Sequence, residues 1–549
     1  MSRFVALCLL AILTACGSSP AIDLIAVGRV WTGNPEQPWA EAVSVSGGVI
    51  RVVGDSATIL RAAGPDTQIL RADGGMIVPG FEDDHTHFFQ GGFQLSWIDL
   101  RETRTPAEFI GRIAEYARNR PEGEWILGGD WDHEWWPGAP LPTREWIDSV
   151  TPSNPVMVSR YDGHMVFANS IAMSLAGVDA TTEDVEGGEI TRGRSGQPTG
   201  IFRDQAMGII GRAVPVPTPA QMDSALARGM AHAVSRGVTT VSHVSATWDE
   251  VAALRRAQAR GALQVRTTVY IDIPDWRNAA ESLRVQGPGD EWLRIAGVKG
   301  MMDGSLGSTT AWFADPYDDA PQTTGLNVTP LDSMRAWIGA ADSAGLQVVV
   351  HAIGDRANAV LLDIFDSVAT ANGPRDRRFR IEHAQHLRRE DIPRFSALGV
   401  IPSMQPYHAI DDGRWAQKRI GPERIKTTYA FRSLLDAGAR LVFGSDWTVA
   451  PIDPLQGIYA AVTRRTLDDR NPGGWVPEEK ITVGEALRAY TVDNAFGMHL
   501  DNVTGSLRPG LRADLVILDR DLTAVPPETI KDAIVVMTIV DGRVRFGKP

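Results

Sequence analysis

Met76-Ile77-Val78-Pro79-Gly80-Phe81-Glu82-Asp83-Asp84-His85-Thr86-His87 begins apolar and ends on two histidines one residue apart. Side chains alternate along a strand, so His85 and His87 share a face. Two imidazoles on one face at the end of a strand can grip one cation. His-x-His alone is a weak signal, but this one terminates an apolar strand and has counterparts downstream. Further apolar runs follow at Val238–Val244, Val265–Ile271, Leu293–Asp303, Leu346–Ala352, Phe379–His383, Val400–Gln405 and Arg440–Asp446. Helical stretches separate them, and that alternation argues for an α/β fold with a parallel sheet. With Met76–His87 the strands number eight, as a closed (β/α)8 TIM barrel requires.

Spacing tests this reading. His383 follows His351 by 32 residues, about one strand–helix unit. Asp446 follows His383 by 63 residues, which leaves room for two units with Val400–Gln405 between them. His243 follows His87 by 156 residues, far too many for one unit, so an insertion is expected after barrel strand 1, at about residues 92–225. It holds many tryptophans, which either roof a pocket or fill the insertion's own core. Residues 22–75 and 505–549 show short β-rich runs split by turn residues, with Asp541-Gly542 a hairpin signal. Both ends are read as one small composite β-sandwich, leaving 76–504 for the barrel. There is no internal repeat and no low-complexity region.

A chain of 549 residues exceeds what one compact core supports. The net charge of −13 is spread along the chain without a basic run, which excludes a nucleic-acid partner. The first residues differ from the rest. Arg3 precedes an apolar run from Phe4 to Leu13 that is too short to span a membrane, so 1–15 reads as a signal peptide. Leu13-Thr14-Ala15-Cys16 resembles the bacterial lipobox. That resemblance implies lipidation at Cys16, a tether over 16–21 and an exported cell-envelope lipoprotein, periplasm-facing or at the outer membrane; the alternative is an ordinary secretory signal. Cys8 and Cys16 are the only cysteines, so the mature body has neither disulfide nor thiol nucleophile.

Three more polar residues end predicted barrel strands: His351, His383 and Asp446. Each alone could be a hydrogen-bonded polar residue at a strand terminus. Together they sit where barrel enzymes place catalytic groups, in a chain with only 11 histidines. Lys299 lies inside the apolar strand Leu293–Asp303. Burying it charged is costly. It is either paired with an acid, or neutral and able to add carbon dioxide as a carbamate whose two oxygens could bridge two cations.

The chain resembles the amidohydrolase superfamily, and within it the YtcJ-type, N-substituted formamide deformylase-like branch (amidohydrolase family 3). The likeness rests on Val78-Pro79-Gly80-Phe81 leading into His85-Thr86-His87, Asp162-Gly163-His164 with Asn169-Ser170, Lys299 with Asp303-Gly304-Ser305-Leu306-Gly307-Ser308, His351-Ala352-Ile353-Gly354-Asp355, Arg380-Ile381-Glu382-His383, Ser403-Met404-Gln405-Pro406, Gly444-Ser445-Asp446-Trp447 and Pro509-Gly510-Leu511-Arg512-Ala513-Asp514. It implies the barrel, the terminal β-sandwich and a centre of one or two divalent metal ions. By analogy His85 and His87 bind one ion, His351 and His383 the second, and carboxylated Lys299 bridges them. Asp446 binds the first and handles the proton. Zinc suits such ligands, as do manganese, iron and cobalt. His164, His243, Asp303, Gln405 and His408 are candidates for the substrate pocket. The implied reaction is hydrolysis of a non-peptide C–N bond, amide or N-formyl, by metal-activated hydroxide. A lactonase, phosphotriesterase or dipeptidase on the same centre is the alternative, as is a non-catalytic metal-binding lipoprotein. Expected partners are a small-molecule amide, the membrane through a lipid anchor only, and a second copy in a homo-oligomer. The acids Glu82-Asp83-Asp84 and Ile171 after Asn169-Ser170 depart from the family pattern and leave substrate identity open.

Overall fold

The computed structural model describes residues 21–548, apart from 161–164, 186–187, 205 and 308. The leader with Cys16, and His164, therefore lie outside the described residues.

Eight parallel strands form the central barrel: β1 (Phe81–Thr86), β2 (Val238–Ala246), β3 (Arg266–Asp272), β4 (Leu293–Met301), β5 (Gln347–Ala352), β6 (Arg380–His383), β7 (Ile401–Met404) and β8 (Val442–Phe443). Each pairs with the next in chain order. Val241, Val269, Val298, Val348, Val350 and Ile381 belong to one buried apolar core shared with the surrounding helices. Side chains of the other parity meet across the barrel: Arg380 of β6 reaches Asp84 of β1, Ser242 of β2 and Tyr270 of β3.

The seam between β1 and β8 is closed by few bonds, each with an identifiable donor. The Asp446 N–H donates to the His85 carbonyl and the His87 N–H to the Trp447 carbonyl, both at 2.7 Å. Asn494 stands in for a missing peptide unit. Its side chain accepts from the Phe443 N–H at 3.0 Å and donates to the Phe443 and Glu82 carbonyls. Gly444 is required there, because a Cβ would lie 2.6 Å from the His85 nitrogen.

The expected strand Met76–His87 is two strands. Gln68–Pro79 belongs to the terminal sheet, pairing with Leu24–Trp31 on one side and Leu515–Leu518 on the other. Pro79 has no N–H for a ladder, and Gly80 is the hand-over: its N–H still donates to Asp514, while that of Phe81 donates to Gly237 beside β2. A Cβ on Gly80 would come within 2.2 Å of Thr239, so the crossing needs glycine. The terminal unit is one hydrogen-bonded sheet of seven strands, four from the N-terminal stretch and three from the C-terminal one. It encloses a core including Leu24, Val43, Ile50, Leu70, Leu515, Ile517 and Ile539. Arg266 of β3 ties this sheet to the barrel through two bonds to Asp514, 2.7 and 3.1 Å.

After β1 the chain builds a separate six-stranded sheet from strands between Ile98 and Asp204. Phe109, Trp131, Trp136 and Phe167 lie buried in its own core, with Trp146 packed against them. These tryptophans fill the insertion rather than roof the barrel. Among the described residues no helix is long and apolar enough to cross a membrane.

Candidate metal centre

The C-terminal ends of β1, β5, β6 and β8 bring His85, His87, His351, His383 and Asp446 to one mouth of the barrel. His85 Nε2 and His87 Nε2 lie 3.4 and 3.3 Å from the same Asp446 oxygen. The ring centroids of His383 lie 5.0 Å from His85 and 4.5 Å from His351. Local backbone aims two of these groups: His383 at φ 73° and Asp446 at φ 58° adopt the left-handed region, which is costly for residues other than glycine and concentrates at functional sites. His87 has 33% of its side chain exposed, against 1% for His85, so solvent and substrate reach the cluster from the His87 side.

Tautomers are set by buried partners. His85 Nδ1 donates to Glu382 at 2.5 Å, which leaves Nε2 as the lone-pair nitrogen, facing Asp446 and Lys299. Glu382 in turn accepts from Arg380 at 2.7 Å and from Ser403 at 2.8 Å. His351 Nε2 donates to the Gly304 carbonyl at 3.0 Å, leaving Nδ1 as the lone pair. Such outer partners orient metal-binding imidazoles and raise their basicity. Burial keeps the imidazoles neutral, as ligands must be: His85 is pushed down to about 4 and His351 to about 3, with the Lys299 ammonium acting the same way. Burial pulls the Asp446 carboxyl up, but the rings of His85, His87 and His383 outweigh it and hold it well below the usual range. Lys299 is buried with Nζ 3.3 Å from His85 Nε2, and burial lowers its amine to about 8.

These residues fit a divalent cation. The donor atoms of His85, His87 and Asp446 lie within 4.8 Å of one another, as do those of His383, His408 and Asp446. His383 Nδ1, His408 Nε2 and Asp446 Oδ1 are buried with no hydrogen-bond partner among the described residues. Leaving such atoms unsatisfied costs roughly 1–3 kcal/mol each, and a cation would satisfy all of them.

The residues expected around the pocket separate. His408 joins the cluster. Gln405 is buried beneath it, donating to the Ser403 carbonyl at 3.3 Å. Asp303 is buried and accepts backbone N–H bonds from Trp312, Ile353 and Gly354 at 2.8–3.0 Å. It shapes the loops around His351 at 3.5 Å instead of presenting a free carboxylate. His243 accepts from the Phe88 N–H at 3.2 Å and faces Glu250 at 3.4 Å, so it fastens the chain leaving β1. Arg380 and Glu382 were not singled out from sequence for a role. Their signal was present: two charged residues spaced by one in a strand otherwise apolar share a face, and that face is the barrel interior.

Comparison with known proteins agrees with this geometry. A family model described as "Amidohydrolase family" matches residues 68–546. The chain is 40% identical over 534 residues to Protein LONG AFTER FAR-RED 3 of Arabidopsis thaliana, covering 95% of this chain and 91% of that one. It is 29% identical over 540 residues to the N-substituted formamide deformylase of Arthrobacter pascens, covering 95% and 98%. The crystal structure of an uncharacterized metal-dependent hydrolase from Pyrococcus furiosus superposes with a TM-score of 0.76 at 29% identity, covering 91% of this chain and 99% of that one.

Proposed function

Because this chain belongs to the amidohydrolase family, we propose that it hydrolyses a non-peptide C–N bond, amide or N-formyl, in a small molecule. The coarser statement stands on its own: the protein is a metal-dependent hydrolase. The choice of bond is supported by the deformylase named among its relatives.

The observation that carries the reading is Asp446, whose carboxylate oxygen lies 3.4 and 3.3 Å from the Nε2 atoms of His85 and His87 at a barrel mouth. A divalent cation held by His85, His87 and Asp446 would supply Lewis acidity, polarising a carbonyl oxygen and acidifying water. Asp446 takes the proton from the attacking water and returns it to the leaving nitrogen. Glu382 keeps His85 in the tautomer whose lone pair faces the mouth. Lys299, whose amine is neutral in part at physiological pH, can take up carbon dioxide as a carbamate. Zinc is the cation we propose. Residues 1–16 are consistent with export and lipidation at Cys16, which would place the enzyme in the cell envelope, acting on exported or scavenged amides.

The test is a substrate panel of N-formyl amines, N-acyl amines, lactones, phosphotriesters and dipeptides, run with metal-loaded protein and with Asp446→Asn. N-formyl or N-acyl turnover that the chelated protein loses, and that falls by a factor of about 10³ in Asp446→Asn, is the expected result. Preference for a lactone or phosphotriester, or near-normal turnover by the variant, would overturn the reading.

A further inference from the structure

We infer that His408 is a metal ligand, forming with His383 and Asp446 a second cation cage that closes without Lys299. The inference rests on the metal-dependent reading above, and narrows which residues hold the second ion.

Three observations converge. The donor atoms of His383, His408 and Asp446 lie within 4.8 Å of one another, and ligands of one tetrahedral zinc at 2.0–2.1 Å stand roughly 3.4 Å apart, a rotamer adjustment away. His383 Nδ1 and His408 Nε2 are both buried without a hydrogen-bond partner among the described residues, an arrangement that costs free energy unless something binds them. Their rings lie nearly parallel, 12° apart with centroids at 6.3 Å, so the two nitrogens flank one space.

The local fold explains how a helix residue gets there. β7 ends at Met404, Gln405 turns the chain, and Pro406 starts the helix Pro406–Asp412. His408 sits in its first turn, directly above the barrel mouth. Asp412 lies one turn further on the same face. Its Oδ2 accepts from Gln385 at 2.8 Å and from Tyr429 at 2.7 Å, which fixes the carboxyl group on the same side of the helix as His408.

Lys299 and His351 are arranged differently. Lys299 Nζ faces His85, a member of the first triad, and one side of His351 is committed to Gly304. Asp446 is common to both triads, so filling the second cage draws on the carboxylate that handles the proton. Excess divalent cation should therefore slow hydrolysis.

The experiment is metal titration of the full chain, stripped with dipicolinate and reloaded with cobalt(II). Bound metal is counted by plasma mass spectrometry and followed by d–d absorption, without substrate, so an error in the assigned reaction leaves the readout intact. Wild type should bind two equivalents. His408→Asn should keep the first and weaken the second by at least roughly 10-fold, with loss of its absorption band. Lys299→Met should keep both equivalents. His408→Gln serves if the asparagine variant does not fold, folding being checked by circular dichroism. A single equivalent in wild type, or two equivalents of unchanged affinity in the folded His408 variants, would overturn the inference.

Discussion

Replacing Glu82 with methionine should stabilise the fold at pH 8 and do much less at pH 4. Glu82 is fully buried under the barrel, and neither carboxylate oxygen has a hydrogen-bond partner among the described residues. Around it are the Thr504 hydroxyl, equally unpartnered, the acids Asp514 and Asp84, and Arg266, which Asp514 already occupies. Burial first, and then the two neighbouring acids, hold its carboxyl well above the 4.5 of free glutamate. The folded protein therefore binds this proton more tightly than the unfolded chain, and stability falls as pH rises through 4.5 towards the folded value. Each pH unit in that window costs about 1.4 kcal/mol, and an unsatisfied buried polar group costs about 1–3 kcal/mol. The unbranched methionine side chain fills nearly the same volume, so the gain expected at pH 8 is the cost of the unsatisfied group, about 1–3 kcal/mol, plus about 1.4 kcal/mol for each pH unit between 4.5 and the folded value or pH 8, whichever is lower. At pH 4 both states are protonated, and only the smaller cost of an unbonded neutral carboxyl is relieved. Urea unfolding of metal-stripped wild type and Glu82→Met, followed by tryptophan fluorescence at pH 4, 6 and 8, measures this directly. A gain independent of pH, or a loss of stability at pH 8, would refute the reasoning.

Two further substitutions probe the framework around the site. Arg380→Met strands Glu382 and Asp84 as buried, unpaired acids and should cost about 3–5 kcal/mol in urea unfolding, whereas a change below about 1 kcal/mol would show that Arg380 is not their counter-charge. Asn494→Ala removes the side-chain bonds bridging β1 and β8; a loss of about 2 kcal/mol and faster amide hydrogen exchange at Phe443 are expected, with exchange elsewhere in the barrel unchanged.

The polar termini of the barrel strands were legible because an apolar run ending in His or Asp has few structural uses. His85, His87, His351, His383 and Asp446 do reach one mouth, and six of the eight strands fall within the runs read from sequence, while β2 and β3 run on past theirs to Ala246 and Asp272. Side-chain direction at loop and helix positions was not legible. Strand parity says nothing of His408, which a helix start carries back over the barrel. It also misleads at Asp303, two residues past β4, and at His243, inside β2, both of which turn to backbone N–H groups. The hand-over at Gly80 was hidden because Gln68–Pro79 and Phe81–Thr86 are extended segments separated by a single glycine, and only the partner strands distinguish them. The two ends of the chain were read as one composite β-sandwich, but that they share one continuous sheet depends on Gln68–Pro79 pairing on both edges, a long-range fact that composition does not carry.

The three consecutive acids at 82–84, the clearest departure from the family pattern, can now be separated by what each one touches. Asp83 seals the seam, accepting from the N–H groups of His85 at 3.2 Å and Ser445 at 2.9 Å, and so fixes the spacing between the strands that carry His85 and Asp446. Asp84 lies on the interior face and holds Arg380 at 2.6 Å; Arg380 holds Glu382, and Glu382 holds His85. Arg380 thus faces an acid on either side, Asp84 towards the barrel floor and Glu382 towards the mouth, and Glu382 holds the His85 imidazole with its lone pair outward. Glu82 alone has no partner in this series. Removing Asp83 or Asp84 should therefore disturb the geometry of the metal ligands, whereas removing Glu82 should relieve strain without reaching them, so that cobalt affinity at the first site is unchanged in Glu82→Met and weakened in Asp84→Asn.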